Sequence, residues 1–300
     1  MAMNSSNFGE LLWPGIKDLW GFSYREWMPL WKQFFKVVDS DKAFERYQGA
    51  TGFGLAGVKS QGGNVPYADA YLGYQQYITN VVYALGATVS KELFDDDQYN
   101  FIKKVPTLLA RSLRQTEEVI AHNVLNNGFS ATAQPNPDGV ALFSASHTTV
   151  DGAGTFTNTP TVAADLTQAS LENAEIAISQ FVDDRNLKMH LKGEKLIVPT
   201  GVQFQAKKIL NTTYEVDSAN NTINPMKGAY DLVITPFLTD GDAWFLTTDL
   251  QDDGLVYQNR ESAQVDRQNE FDTFNLKFVT YSRFGVGFIN PRCAYGSPGV

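Results

Sequence analysis

The spacing of apolar positions divides the chain into an aromatic start, a glycine-rich stretch, one long helix, a mixed region and a strand-rich end. The first 45 residues carry Trp13, Trp20, Phe22, Tyr24, Trp27, Trp31, Phe34 and Phe35. Trp27, Leu30, Trp31, Phe34 and Phe35 share one helical stripe, which predicts a short helix from about Tyr24 to Val38. Residues 46–88 read as a hairpin, with extended arms near 49–58 and 75–89 and glycines at 49, 52, 54, 57, 62, 63 and 73 as turn points. The strongest helical signal follows. Val105, Leu109, Leu113, Thr116, Ile120 and Val124 recur every three to four residues, and Leu108 and Val119 widen the stripe. Arg111, Arg114, Glu117 and Glu118 fall on the other side. Pro106 suits a first turn and Gly128 a stop, so this helix is expected from about 98–107 to 127.

Residues 129–165 are loop-like, with a short apolar strand expected near Val140–Phe143. An amphipathic helix is expected over about 167–182 on Leu171, Ala174, Ile178 and Phe181. A buried strand, Lys195–Val198, then leads through Pro199 to a third helix ending near Leu210. From Tyr230 strands dominate: Asp231–Thr235, Ala243–Thr247 and the run Phe271–Ile289. There is no internal repeat. The class expected is α+β.

Composition narrows what such a chain does. Hydrophobic residues make up 43% and charged residues 19% of 300, enough for a sizeable core and too apolar for a disordered chain. The charge-free stretch Ala70–Ser90 holds Gln75, Gln76, Thr79 and Asn80, which would be costly in lipid, so no membrane span is expected. The net charge of −9 lies mainly in residues 131–300, which carry 12 Lys and Arg against 20 Asp and Glu. That argues against a broad basic face for tight nucleic-acid binding. The single Cys293 excludes an internal disulfide and a cysteine zinc site.

The candidate chemistry is sparse. Gly52-Phe53-Gly54-Leu55-Ala56-Gly57 matches the dinucleotide-binding glycine pattern, but no buried strand precedes it and no helix follows. Ser144, Ser146 and His147 invite a hydrolase reading, yet the nucleophile-elbow pattern is missing and the only other histidines are His122 and His190. Asp95–Asp97 and Asp252–Asp253 lack the alternating spacing of a calcium loop. Bent hairpin, packed loop and helix-end charge are the simpler accounts, so no catalytic residue, cofactor or metal is expected.

Four stretches then resemble the major head subunit of Mu-like phages, within the wider tailed-phage major capsid fold. They are LARSLRQTEEVIAHNVLNNGF (109–129) with DGVALFSASHTT (138–149), KLIVPTGVQFQAKKIL (195–210), YDLVITPFLTDGDAWFL (230–246) and RFGVGFINPRCAYGS (283–297). The resemblance implies an N-terminal arm (1–45), an E-loop hairpin (46–88), a peripheral domain with a spine helix (89–165 and 271–300) and an axial domain (166–270). The terminal strands are expected to return to the peripheral domain.

It implies a shell subunit that assembles with itself into hexamers and pentamers and encloses double-stranded DNA without reading its sequence. Scaffolding, portal and decoration proteins are further partners of such subunits. The start at a plain Met, without a long charged leader, suggests separate scaffolding. The virion shell, assembled in the host cytoplasm, is the expected location. An encapsulin-like compartment shell is the alternative. Trp13, Trp20, Trp27, Trp31, Tyr71, Tyr74 and Tyr77 are expected at subunit interfaces, and Leu109, Leu113, Ile120 and Val124 at the core face of the spine helix. The core after residue 90 is expected to fold without the arm.

Overall fold

A period of 3.6 residues that begins at Pro106 and stops before Gly128 produces the longest helix, α1 (Val105–Asn126). Its 22 residues span about 33 Å. Pro106 sits in the first turn, where a missing amide donor costs nothing. Gly128 must be glycine because a Cβ there would come within 2.6 Å of the Phe143 ring. The computed structural model describes residues 15, 17–26, 28–90, 92–93, 104–133, 136–152, 154–214, 222–250, 253–270 and 275–300.

Around α1 lie twelve strands among these residues. β1 (Lys36–Asp39), β2 (Phe44–Ala50), β3 (Leu72–Thr79) and β4 (Val81–Val89) precede it. After it come β5 (His147–Thr148), β6 (Thr155–Phe156), α2 (Gln168–Ser179), β7 (Gly193–Pro199) and α3 (Gln203–Asn211). The end is β8 (Asp231–Thr235), β9 (Trp244–Thr248), β10 (Leu255–Asn269), β11 (Leu276–Phe288) and β12 (Ala294–Ser297).

Two four-stranded sheets carry the core. The first runs β1-β10-β11-β4, the second β12-β9-β7-β8. α1 lies against the first sheet, burying Val105 and Leu109 on Val89 and Phe278, and Leu113 on Val265. Its C-terminal half enters the largest cluster, where Val124 and Leu125 meet Trp31, Phe35, Tyr257, Phe284, Ile197 and Phe245. The second sheet alternates with the period of two that a strand imposes. Ile197 and Phe245 face that cluster, while Leu196, Val198, Trp244 and Leu246 face α2 and α3. α2 starts with a capping box, in which Thr167 and Ser170 each take the other's backbone N–H.

Several expectations are corrected. There is no helix over Tyr24–Val38: residues 17–25 are helical, Trp31–Gln33 form one 3-10 turn, and Lys36–Asp39 pair in parallel with β10. Pro29 disfavours helical geometry at the residue before it, and Val37 and Val38 favour a strand. Val140–Phe143 is not a strand, although Ala141–Phe143 are buried. The hairpin arms are β2 and β3, paired from Phe44↔Thr79 to Ala50↔Leu72, whereas β4 belongs to the first sheet. Phe271 lies outside the described residues.

Sheet membership also cuts across the division at residue 271. β10 pairs with β11 beside α1, and β12 extends the sheet of β7, β8 and β9. Leu108 and Val119 are exposed, while Arg114, Glu117 and Glu118 are buried. The polar side of α1 is covered, by the segment described next.

Candidate assembly surfaces

The aromatic N-terminal segment packs inward. Tyr24 stacks on Trp20 at 5.1 Å and donates its hydroxyl to Glu117 Oε1. Arg114 lies over the Tyr24 ring and donates to Glu117 Oε2 at 2.9 Å. Glu118 receives two backbone donors from the same segment, Leu30 N–H at 2.7 Å and Trp31 N–H at 3.3 Å. Trp31 stacks on Tyr257 at 3.9 Å and is only 2% exposed. Burial pushes the carboxyls of Glu117 and Glu118 above the usual range, against the donors that favour their charged forms. Trp20 and Trp31, expected at an interface, are therefore core residues of the subunit itself. Trp13 and Trp27 lie outside the described residues.

The stripe of α1 buries Leu109, Leu113 and Val124, with Ile120 partly buried against the main cluster. His122 adds a polar tie that patterning did not single out. Its Nδ1 meets Glu118 O at 2.7 Å and its Nε2 meets Thr235 Oγ1 at 2.9 Å, joining α1 to the end of β8. Phe34 and Phe237 flank the ring, each 5.3 Å away between centroids, and burial lowers its pKa.

The hairpin is the opposite case. β2 and β3 pair with each other, and Ile78 at the end of β3 packs over Gly285 and Gly287, where any Cβ would meet the crossing strand at 2.8–3.0 Å. Away from that crossing the arms are open. Tyr71, Tyr74 and Tyr77 are exposed or half-exposed, and in the stretch between the arms Leu55 is 86% and Tyr67 95% exposed. Phe53, Val58, Val65 and Leu72 are exposed beside them. No charged residue occurs from Ala70 to Ser90. Exposed apolar patches are the kind of surface that proteins use to meet partners, which makes the hairpin the candidate assembly surface.

The remaining candidates have structural places. His147 is buried, with Nδ1 2.6 Å from Asp138 Oδ2 and Nε2 bonded to Leu142 O at 3.1 Å and Asn158 Oδ1 at 3.2 Å. Both ring nitrogens are committed to the fold of the 136–158 loop, and Ser146 is exposed. The glycines of 52–57 lie in a stretch with neither strand nor helix, which is not a dinucleotide cradle. Asp95–Asp97 and Asp252 lie outside the described residues. Among the described residues no group of three metal-ligating side chains forms, and no helix is long and apolar enough to cross a membrane.

The chain thus combines an inward-tied N-terminal segment, a hairpin with exposed apolar side chains and a long helix on a four-stranded sheet. The phage capsid protein family matches residues 73–297. This chain belongs to that family. It is 25% identical over 198 residues to the major capsid protein of Escherichia phage Mu, across 66% of this chain and 55% of that protein. The chain thus spans about half the length of the curated relative it matches.

Two solved structures share its fold. The capsid of a native GTA particle gives a TM-score of 0.60 at 12% identity, covering 90% of each chain. A virus-like particle from Pyrococcus furiosus gives 0.54 at 11% identity, covering 94% of this chain and 97% of that one. The α+β fold of this phage capsid protein is that of tailed-phage capsid subunits.

Proposed function

We propose that this phage capsid protein is the major head subunit of a tailed phage, a structural protein without catalytic activity. Copies of it close into hexamers and pentamers and then into an icosahedral shell around double-stranded DNA. The observation that carries the reading is the β2–β3 hairpin with its exposed Leu55, Val58 and Tyr67. A monomer gains nothing from that surface. A lattice of identical copies buries it at every heterologous contact. Tyr71, Tyr74 and Tyr77 belong to this interface in our reading.

Residues 1–45 then serve as the arm, 46–88 as the E-loop, 89–165 with 271–300 as the peripheral part and 166–270 as the axial part. Three strands cross these bounds: β4 and β10 go with the peripheral part because they share a sheet with β11, and β12 goes with the axial part because it extends the sheet of β9. The acidic second half confines DNA without gripping it. Scaffolding, portal and decoration proteins are partners in this reading. The site of assembly is the host cytoplasm and the destination the virion.

Negative-stain microscopy and sedimentation of the expressed chain test the proposal. Shells, tubes or capsomers support it, and a monomer at all concentrations and salts sinks it. A cellular compartment shell of the same fold is the alternative reading. Packaged DNA decides for the phage head, and an enclosed enzyme decides for the compartment.

A further inference from the structure

The hairpin is poorly packed at its own base. A cleft of about 160 Å³ lies between it and the body, lined among others by Tyr47, Tyr74, Asp138, Asp184 and Arg292. The last rung between the arms is Thr51 with Tyr71: Thr51 N–H donates to Tyr71 O at 2.8 Å, and Tyr71 N–H donates to Thr51 Oγ1 at 2.9 Å. Beyond that rung no ladder holds residues 52–70. Something else must fix the direction in which this apolar stretch leaves the subunit.

One side chain bridges both arms just beyond the rung. Arg185 donates from Nε to Gly52 O at 3.3 Å and from Nη2 to Asp69 O, and its guanidinium lies 4.5 Å over the Tyr71 ring. The planar fork suits this task, because it reaches two carbonyls while stacking on an aromatic face.

Arg185 is itself held by a rigid turn. Asp183 Oδ1 accepts the N–H groups of Arg185 and Leu187, both at 2.8 Å, and Asn186 takes a φ of 63°. Below, Val182 O accepts from Arg292 Nε at 2.6 Å, and Asp184 pairs with Arg292 at 3.2 Å. Arg292 is 5% exposed and lies over Phe156 in the core.

We propose that Arg185 is a positioning residue for assembly, fixing the distal hairpin in the orientation that engages the next copy of the chain. The inference rests on the shell reading above. The contacts favour aiming over inhibition: Arg185 takes backbone carbonyls and one face of Tyr71, and leaves Phe53, Leu55, Val58 and Tyr67 exposed. An inhibitory contact would cover those side chains. A hairpin released from the clasp samples many directions and is competent for docking only part of the time, so its apparent affinity for a neighbour falls by that fraction.

The experiment compares the wild-type chain with Arg185→Ala and Arg185→Lys. Free subunits are exposed to a nonspecific protease, and particles are counted by electron microscopy over a concentration series. Arg185→Ala should cut faster within 52–71 and need about tenfold more protein to form shells, a shift equal to one decade of affinity. Its thermal melt should be close to wild type. Lysine reaches one carbonyl but lacks the fork, so Arg185→Lys should fall between, and it carries the test if the alanine variant does not fold. Wild-type shells together with unchanged cutting or an unchanged assembly threshold in the variants overturn the clasp alone. A wild-type chain that forms no particles overturns the shell reading and the assembly role with it.

Discussion

The aromatic N-terminal segment and the β2–β3 hairpin are alike in composition and opposite in use. Both are rich in aromatic residues, the segment mainly in Trp and Phe and the hairpin mainly in Tyr, and each precedes the long helix. Trp20, Tyr24, Trp31, Phe34 and Phe35 each meet a partner in the same subunit, although Phe22 is 71% exposed, and the polar groups of Tyr24, Arg114, Glu117 and Glu118 are tied to one another or to backbone N–H. Around Tyr67 and Leu55 the side chains face outward. The difference lies in whether polar partners are supplied. The segment that docks on α1 meets two carboxylates and a guanidinium at the right places. The hairpin is tied near its base, by Gln258 to the Tyr47 hydroxyl, Tyr74 to Thr148, Ile78 over Gly285 and Gly287, and Arg185, while Leu55, Val58 and Tyr67 farther out stay exposed. Aromatic density says that a surface will be buried, and the polar partners say by whom.

The most drastic way to break the comparison is to remove the inward-packed segment. Deleting residues 1–40 takes Trp31, Phe34 and Phe35 out of the largest core cluster. Each is worth about 1.5–3 kcal/mol of burial, and together they approach a typical domain stability of roughly 5–15 kcal/mol. The truncated chain should be insoluble or lack a cooperative melt, contrary to the sequence-based expectation that the core after residue 90 folds alone. A soluble truncated subunit with a sharp transition would show that the cluster closes without these rings.

Next in size is the carboxylate under Tyr24. Glu117→Ala leaves Arg114 buried without its ion-pair partner, and breaking one side of a buried pair costs roughly 3–5 kcal/mol. Adding Arg114→Met to that variant should recover part of the loss, because the uncompensated charge is removed as well. Chemical denaturation of the single and double variants measures both. A single variant within 1 kcal/mol or so of wild type would mean that the N-terminal segment is not closed over α1 in solution.

The spine helix and three of the four strands of the second sheet, β7, β8 and β9, were legible because their signals are local. Leu109, Leu113 and Val124 repeat at helical spacing, Pro106 and Gly128 bracket them, and Leu196–Val198 and Asp231–Thr235 are continuous or bounded apolar runs. The buried face of Arg114, Glu117 and Glu118 was not legible. Tyr24 and Glu117 are 93 positions apart, and nothing in the charged stripe announces a cover. β10 was missed because two register shifts between Asn259 and Gln264 break its alternation, and its second half carries Glu261, Asp266 and Arg267 on an exposed edge of the pattern. For the same reason the aromatic count alone placed Trp20 and Trp31 at an interface.

A smaller effect should appear with pH. His122 faces Glu118, Thr235, Phe34 and Phe237, and burial lowers its pKa below the usual 6.5. The folded state therefore resists protonation there. The contribution is complete above about pH 6.5 and is lost as pH falls below it, at no more than about 1.4 kcal/mol per pH unit. Glu117 and Glu118, whose values are raised, act in the opposite sense: burial favours their neutral forms, and their contribution is lost as pH rises through the raised values. Melts of wild type and His122→Gln between pH 7.5 and about 5.5 should diverge, with the wild type falling more steeply. Parallel curves would mean that His122 is not the titrating group.

The smallest effect on stability, and the sharpest test of the comparison, belongs to the hairpin. A Leu55→Ser, Val58→Ser and Tyr67→Ser triple variant removes apolar groups that touch little in the free subunit, since these three positions are 86%, 102% and 95% exposed. Surface changes of this kind usually stay within about 0.5 kcal/mol, so the melting midpoint should barely move. Assembly is another matter. If each group is buried by a neighbouring copy, each withdraws roughly 1.5–3 kcal/mol from every contact it makes, and a repeating contact repeats the loss around the shell. The variant should be a well-folded, soluble subunit that forms no particles at concentrations where wild type does. Sedimentation beside calorimetry reads both quantities from one preparation. A lowered melt with normal particles would reverse the assignment, making the hairpin part of the subunit's own core and leaving the outward surface to be sought elsewhere. An unchanged melt with normal particles would show that these exposed apolar residues are idle, and that exposure is no guide to where this subunit meets its neighbours.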